Sequence, residues 1–165
     1  MVTKVELERL RKVVGEVPDP EIPVLTIADL GILRDLAVDG DGDGVVVTIT
    51  PTYSGCPAMD MIRVEVLACL RAEGIDQARI RTVLSPAWTT DWMSEDGRRK
   101  LVEYGIAPPA RCADPQISPL TQLSVCCPLC GSFDTRQVSR FGSTACKAHY
   151  VCGACSEPFD HFKTI

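Results

Sequence analysis

The sequence predicts an α+β protein with a small C-terminal appendage, and three observations support this prediction. Three short strand-like runs alternate with helical patterns across residues 1–105. Four prolines with little hydrophobic periodicity follow in residues 106–123, which is typical of a linker. Residues 124–165 hold six of the nine cysteines, which indicates a second, separately organised unit.

Local signals define the elements of residues 1–105, which we expect to form a three-stranded mixed α/β domain. A capping box, Thr3-x-x-Glu6, begins an amphipathic helix that ends at Gly15. β-Branched and apolar runs predict three strands, and capping residues with apolar periodicity predict two further helices. The predicted strands are Leu33–Val38, Val45–Thr50 and Arg79–Leu84, and the predicted helices are Pro57–Glu73 and Ser94–Tyr104.

Two acidic loops have a simple structural interpretation. Three prolines in residues 17–23 exclude a helix and a central strand, so this segment is predicted to be an extended connector. Taken alone, Asp19 and Glu21 are then expected in a solvated acidic turn. The hexapeptide Asp39–Gly44 has the acid spacing of a calcium loop, but strands flank it and its twelfth position is Thr50. A polar hairpin loop is therefore the prediction there.

The segment Pro51–Pro57 connects a predicted strand to a predicted helix and contains Cys56. We expect Pro57 at the first helical position, which places Cys56 at or near the N-cap. Unpaired backbone N–H groups and the helix dipole favour the thiolate there, so this sulfur is predicted to be a good nucleophile and metal ligand. The alternative is a small buried thiol that only packs.

Charge and composition exclude several classes of function. The net charge is −5, and residues 1–105 contain 12 Lys or Arg against 18 Asp or Glu. No basic face that could hold a phosphate backbone is evident, so nucleic acid is not an expected partner. The charged N-terminus lacks the apolar core of a signal peptide, and no run approaches the ~18 apolar residues of a membrane span. We therefore expect no membrane partner, a cytoplasmic location, and cysteines that serve as ligands or reactive thiols.

Two C-x2-C pairs, separated by 21 residues, predict a metal site in residues 124–165. Four thiolates suit a tetrahedral structural zinc, although rubredoxin-like iron or an iron–sulfur cluster could use the same ligands. About forty residues bury too little apolar surface to fold alone, so metal binding is expected to supply much of the folding free energy of this zinc ribbon. The predicted ligands are Cys127, Cys130, Cys152 and Cys155.

The remaining cysteines and both histidines are not needed for that site. Cys126 offers a less regular ligand spacing, Cys146 lies at the predicted hairpin tip, and Cys112 lies in the predicted linker. Both histidines are candidate ligands, but four cysteines already fill the zinc shell. We therefore expect His149 and His161 to be packed or at the edge of solvent.

Three motifs together resemble the signature of the small α+β family of iron–sulfur cluster assembly and carrier factors. They are Asp19-Pro-Glu21-Ile-Pro-Val, Asp29-Leu-Gly31-Ile and Thr52-x-x-x-Cys56-Pro57. The C-terminal ribbon is similar to that of the PaaD family, whose members belong to phenylacetyl-CoA oxygenase (phenylacetyl-CoA 1,2-epoxidase) systems. Its matching motifs are Ser139-Arg-Phe-Gly-Ser-Thr-x-Cys146-Lys and Glu157-Pro-Phe159. The resemblance covers essentially the whole chain.

This resemblance implies an accessory protein of aerobic phenylacetate catabolism that assembles or delivers an iron–sulfur cluster or iron centre. It makes Cys56 the reactive or cluster-ligating cysteine, with Thr52, Asp19 and Glu21 lining its loop. The implied cofactors are a structural zinc and a transient iron–sulfur cluster, and the implied partners are the oxygenase and reductase subunits. Because one cysteine cannot complete the ligand set of a cluster, a homodimer or a client thiol is expected to supply further ligands.

Three alternatives stay open at this point. The chain could be a zinc-stabilised adaptor that docks oxygenase subunits without handling a cluster. It could be an enzyme with Cys56 as nucleophile, although both histidines lie in the ribbon and only Asp19, Glu21 or Asp60 could act as the base. A nucleic-acid module is disfavoured by the acidic domain and the near-neutral ribbon.

Overall fold

A computed structural model describes residues 3–40, 44–110 and 125–165 of the chain. These residues form two compact units, which are described separately. The N-terminal unit comprises Met1–Trp88 with Trp92–Ser94, and the C-terminal unit comprises Thr89–Asp91 with Glu95–Ile165. The centre of the Asp39–Gly44 loop, most of the predicted linker, and Cys112 lie outside the described residues.

The N-terminal unit contains two α-helices and a three-stranded mixed sheet. The sheet order is β1-β2-β3, with β1 antiparallel and β3 parallel to the central strand. The parallel pairing requires a crossover between β2 and β3, and α2 supplies it. The elements are α1 (Lys4–Gly15), β1 (Leu33–Val38), β2 (Val45–Ile49), α2 (Ala58–Ala72) and β3 (Ala78–Thr82).

Helix α1 begins with a capping box, and helix α2 buries one apolar face. Thr3 accepts a hydrogen bond from the Glu6 backbone and Glu6 reaches back to Thr3, so the predicted capping box is present. The predicted apolar face of α2 is buried, whereas Cys69 beside it is only half-buried. Its buried members are Met59, Ile62, Val66 and Leu70.

Asp29 organises the segment between α1 and β1. Its carboxylate accepts hydrogen bonds from the Thr26 backbone N–H at 3.1 Å and from the Ser94 hydroxyl at 3.0 Å. Asp29 is buried, so these bonds compensate for the removal of its charge from water. Gly31 follows with φ +69°, and a Cβ there would lie 2.5 Å from the backbone oxygen of Trp92. In the Asp-Leu-Gly motif, the acid is therefore needed for its hydrogen bonds and the glycine for the close approach of Trp92.

The C-terminal unit contains one α-helix and a four-stranded sheet. Its sheet order is β4-β7-β6-β5, in which β4 runs parallel to β7 and the other pairs are antiparallel. The ribbon strands therefore extend a sheet whose first strand lies within the predicted linker. The elements are α3 (Glu95–Glu103), β4 (Ile106–Ala107), β5 (Thr135–Ser139), β6 (Lys147–Cys152) and β7 (Pro158–Phe162).

The grouping of α3 with the ribbon sheet differs from the predicted domain boundary at residue 105. Arg98 of α3 is buried, and its guanidinium donates to the carbonyl oxygens of Thr90 and Pro109, each at 2.7 Å. These bonds hold the helix to the backbone on both sides of it. Strand β4 also occupies the first two residues of the predicted linker, where the sequence shows only a short apolar pair.

Candidate functional site

The Cys56 loop lies at the carboxyl end of β2, where the chain turns into α2. Gly55 adopts φ +84°, a left-handed conformation that glycine tolerates at little cost. The Cys56 backbone N–H bonds to the Tyr53 carbonyl at 3.3 Å, and the Cys56 carbonyl accepts from the Met59 N–H at 3.3 Å. The loop therefore holds Cys56 in a defined turn, with the side chain half-buried.

The structure moves the helix start by one residue relative to the prediction. Pro57 is the N-cap of α2, with φ −67° and ψ −23°, and the first helical residue is Ala58. Cys56 therefore precedes the N-cap. Its position still allows the backbone N–H of Ala58 to hydrogen-bond to the sulfur, which lowers the pKa of the thiol.

The predicted activation of Cys56 by the helix terminus is wrong in its net direction. Burial of the side chain raises the pKa of Cys56 above its ordinary value, and the negative charges of Glu21 and Asp19 raise it further. Hydrogen bonds from the Ala58 backbone and the Tyr53 hydroxyl oppose this shift but do not outweigh it. Desolvation and two carboxylates therefore disfavour the thiolate of Cys56.

Asp19 and Glu21 approach Cys56 from the proline-rich segment. Asp19 is buried, and its Oδ1 accepts hydrogen bonds from the backbone N–H groups of Glu21 at 2.9 Å and Ile22 at 2.8 Å. This turn fixes the segment, while a β-bridge between Pro18 and Thr26 closes its base. The expectation that Asp19 lies in a solvated turn is therefore wrong, because its carboxylate caps buried backbone.

Thr52 and Tyr53 belong to the same loop as Cys56. Both are half-buried in the loop between β2 and α2. Sequence reasoning named Thr52 for this site but overlooked Tyr53, whose hydroxyl hydrogen-bonds to the Cys56 sulfur. The sequence does contain a signal for Tyr53, because a phenol three residues before a thiol is a hydrogen-bond donor that can stabilise the thiolate.

The four cysteines of the two C-x2-C pairs come together in the C-terminal unit. Their sulfur atoms all lie within 4.8 Å of one another. Cys127 Sγ lies 3.9 Å from Cys155 Sγ, and Cys130 Sγ lies 3.5 Å from Cys152 Sγ. A tetrahedral zinc with Zn–S bonds of about 2.3 Å requires sulfur separations of about 3.8 Å, so the donor set fits this ion. Among the described residues, this is the one cluster of three or more potential metal ligands.

The surrounding chain holds the two knuckles in place. The Cys127 N–H bonds to the Ser132 carbonyl and the Gly131 N–H bonds to the Cys127 carbonyl, both at 2.9 Å. In the second knuckle, the Cys155 N–H donates to the Cys152 sulfur at 3.5 Å. Gly131 adopts φ +75°, as expected for the residue that ends a tight C-x2-C turn.

The other ribbon thiols and the histidines lie outside this set. Cys146 is buried with its sulfur 3.0 Å from the Thr144 hydroxyl, and Cys126 is exposed. His149 Nδ1 lies 3.1 Å from Asp160 Oδ1. Burial lowers the pKa of His161 to about 4, and its ring packs edge-on against Tyr150.

Comparisons with known proteins find relatives for both parts of the chain. Residues 7–83 match the model of a family described as iron–sulfur cluster assembly protein, and residues 113–163 match the PaaD zinc beta ribbon domain. A protein of Escherichia coli (strain K12), named as a putative 1,2-phenylacetyl-CoA epoxidase subunit, is 45% identical over 161 residues, covering 97% of this chain and 94% of the relative. The chain belongs to this PaaD family of epoxidase subunits.

Solved structures match the N-terminal part of this family member. A crystal structure of a DUF59 domain from Bacillus anthracis has a TM-score of 0.52 and 27% identity, covering 58% of this chain and 90% of the other. The hypothetical protein TM0487 from Thermotoga maritima has a TM-score of 0.48 and 29% identity, covering 61% and 94%. Together with the family matches, the first of these confirms the predicted α+β fold with a C-terminal zinc ribbon. Within the described residues, no helix is long and apolar enough to cross a membrane.

Proposed function

We propose that this protein is an accessory factor of the phenylacetyl-CoA epoxidase system that delivers an iron–sulfur cluster or iron centre to the oxygenase or reductase subunits. Cys56 is the transient ligand of this cargo. The observation that carries the proposal is the half-buried thiol between Tyr53, Asp19 and Glu21, in a domain that matches iron–sulfur assembly proteins. The role in phenylacetate degradation is supported by the name of the relative from Escherichia coli.

The raised pKa of Cys56 suits a ligand that must release its cargo. Metal binds the thiolate, so a thiol whose proton is held tightly binds iron more weakly at neutral pH. Transfer is then an exchange of ligands without a change of redox state. The client thiol loses its proton and forms an Fe–S bond, while the Fe–S bond to Cys56 breaks and the Cys56 sulfur regains a proton.

One thiol leaves the coordination shell of an iron or a cluster incomplete. Among the described residues, the cluster of three or more ligand side chains lies in the ribbon and not at Cys56. The client, or a second copy of this chain in a homodimer, must therefore supply the remaining ligands. This requirement couples cargo binding to the presence of the partner.

The zinc ribbon acts as a metal-stabilised platform within this assembly. We propose that Cys127, Cys130, Cys152 and Cys155 hold zinc, which provides charge compensation for four clustered thiolates and free energy of folding. The hydrophobic cluster around these cysteines has four buried members, Ala107, Cys127, Cys152 and Phe159, with Val125, Tyr150 and Cys155 packed against them. A core of this size contributes little by itself, so the metal has the larger role in stability.

The experiment that tests this function replaces Cys56 by alanine in cells grown on phenylacetate. We expect lower iron and sulfide content in the reductase or lower iron in the oxygenase, with unchanged amounts of both subunits. Cys69→Ala is the matched control, because Cys69 is also half-buried with a pKa raised by burial. Full metal content and full epoxidase activity in the Cys56→Ala strain would contradict cargo delivery and favour the adaptor function.

A further inference from the structure

An apolar seam runs along the side of α2 that faces away from the core. Met61 is 58% exposed and Val64 is 65% exposed, and Pro57 and Ala68 are exposed as well. On a helix of 3.6 residues per turn, these positions lie roughly half a turn from the buried face of Ile62 and Val66. Surface helices ordinarily place polar side chains there, so this seam requires an explanation.

The spacing of these residues is that of a helix-packing seam. Pro57, Met61, Val64 and Ala68 follow one another at intervals of four, three and four residues. This is the alternation of the a and d positions in a coiled coil, which places side chains in one line against a second helix. The shape therefore fits a helix as the occupant.

Acidic side chains flank the seam on both sides. With Met61 at an a position, Asp60 and Glu65 occupy the g and e positions that border it, and both are exposed. Arg63 Nη1 lies 3.2 Å from Asp60 Oδ1, but its Nη2 is bonded to Thr82 Oγ1 at 2.7 Å, which anchors the guanidinium toward β3. Beside Met61 and Val64 the rim of the seam is therefore acidic, whereas the exposed Arg71, seven residues after Val64, ends the apolar seam beyond Ala68.

This charge pattern disfavours a second copy of the chain that packs on the seam in parallel. In a parallel helix pair, the g position of one helix faces the e position of the other, so Asp60 would face a second Glu65. Like charges at such positions are destabilising. A helix with Lys or Arg beside its apolar stripe instead gains two attractive contacts.

We propose that this seam is the docking site for an amphipathic helix with basic flanks on the client protein, and this inference rests on the proposed function. The seam begins at Pro57, directly after Cys56, so a docked helix lies next to the thiol. Docking there brings ligands of the client to the cargo and excludes water from the exchange. Docking also explains how a bound partner completes the ligand set of a cargo that Cys56 alone cannot hold.

The test measures binding of the purified oxygenase and reductase subunits to the full-length protein. We expect the double variant Met61→Glu with Val64→Glu to raise the Kd at least about 10-fold. The double variant Asp60→Lys with Glu65→Lys should raise the Kd by a similar factor at low salt and less at high salt. Val5→Glu on α1 is the matched control, since Val5 is 76% exposed and lies outside the seam.

Several outcomes would overturn the docking site. The site is wrong if the Kd is unchanged in both double variants, or if charge reversal tightens binding. It is also wrong if the unaltered protein binds neither subunit, or if the unaltered protein is a dimer that Met61→Glu converts to a monomer. Cluster uptake by the same variants, measured with a small free thiol in place of the partner's ligands, separates this inference from the proposed function. If the protein takes up a cluster but the seam variants bind the client as well as the unaltered protein does, the docking site is rejected and the delivery function stands. If the seam variants weaken docking but the protein takes up no cluster, the delivery function is rejected and the docking site stands.

Discussion

Cys130 Sγ lies 3.5 Å from Cys152 Sγ, although 22 positions separate the two residues in the chain. Without an ion, four thiol groups in such close contact would gain little from one another. Four thiolates around zinc are stable because each forms a metal–sulfur bond and the ion offsets their mutual repulsion. The close approach of these sulfur atoms therefore indicates that they share a zinc ion.

Replacing Cys152 by serine should abolish zinc binding. We expect the zinc content to fall from about one ion per chain to about zero, with loss of the β-signal of the ribbon, because three ligands cannot close a structural site. Native mass spectrometry measures the zinc content, and circular dichroism measures the β-sheet signal. Cys126→Ser is the control and should keep its zinc, since the exposed Cys126 lies outside the ligand cluster. Zinc loss in Cys126→Ser, or retention in Cys152→Ser, would contradict this assignment.

The alkylation rate of Cys56 should report its raised pKa. Burial and the neighbouring carboxylates disfavour the thiolate, so the rate should rise with a midpoint above pH 9.0, the ordinary value for this thiol. Removing one negative charge with Glu21→Gln should lower the pKa of Cys56 and accelerate alkylation at about pH 8. Mass-spectrometric rates across the range from about pH 6 to about pH 11 provide the measurement. Glu21→Asp keeps the charge and is the control, while a midpoint below 9.0 in the unaltered protein would refute the assigned direction.

Asp29 should contribute strongly to the stability of the N-terminal unit. Its buried carboxylate accepts from the Thr26 N–H and the Ser94 hydroxyl, so Asp29→Ala leaves two half-buried donors without this acceptor. We expect a loss of about 2–3 kcal/mol in the free energy of unfolding, measured by urea denaturation. Ser94→Ala should cost only about 1 kcal/mol, since it removes one of these bonds. Equal costs for the two substitutions would show that Asp29 acts in another way.

Gly31 and Gly74 provide a comparison between a steric and a conformational effect. Both adopt positive φ, at +69° and +84°, but only a Cβ at Gly31 meets another residue within 4 Å. Gly74→Ala should cost about 1 kcal/mol from its backbone conformation alone. Gly31→Ala should cost at least about 2 kcal/mol, because the new methyl group also collides with the Trp92 backbone. Thermal unfolding of the two variants checks this order, and a larger cost at Gly74 would reverse it.

Local signals in the sequence were sufficient for most of the secondary structure. The capping box of Thr3 and Glu6 and the apolar face of α2 depend on residues three or four positions apart, and the structure confirms both. The pair of C-x2-C motifs likewise predicted the four-sulfur cluster, because each knuckle is a local turn.

Features that depend on distant residues could not be derived in this way. The bond between Ser94 and Asp29 spans 65 positions, and β4 pairs with β7, a strand far along the chain. The pKa of Cys56 also depends on Glu21 and Asp19, which approach it only in the folded chain. Reasoning from the helix terminus alone therefore led to the wrong direction for this thiol.

Anaerobic reconstitution tests whether Cys56 holds an iron–sulfur cargo. Purified protein would be incubated with iron, sulfide and a small free thiol that can supply the remaining ligands in place of the partner, desalted, and assayed for metal, sulfide and visible absorption, alongside Cys56→Ala and the control Cys69→Ala. We expect a cluster chromophore in the unaltered protein and in Cys69→Ala, none in Cys56→Ala, and about one zinc in all three. The same chromophore in Cys56→Ala, or no chromophore in any sample, would contradict the claim.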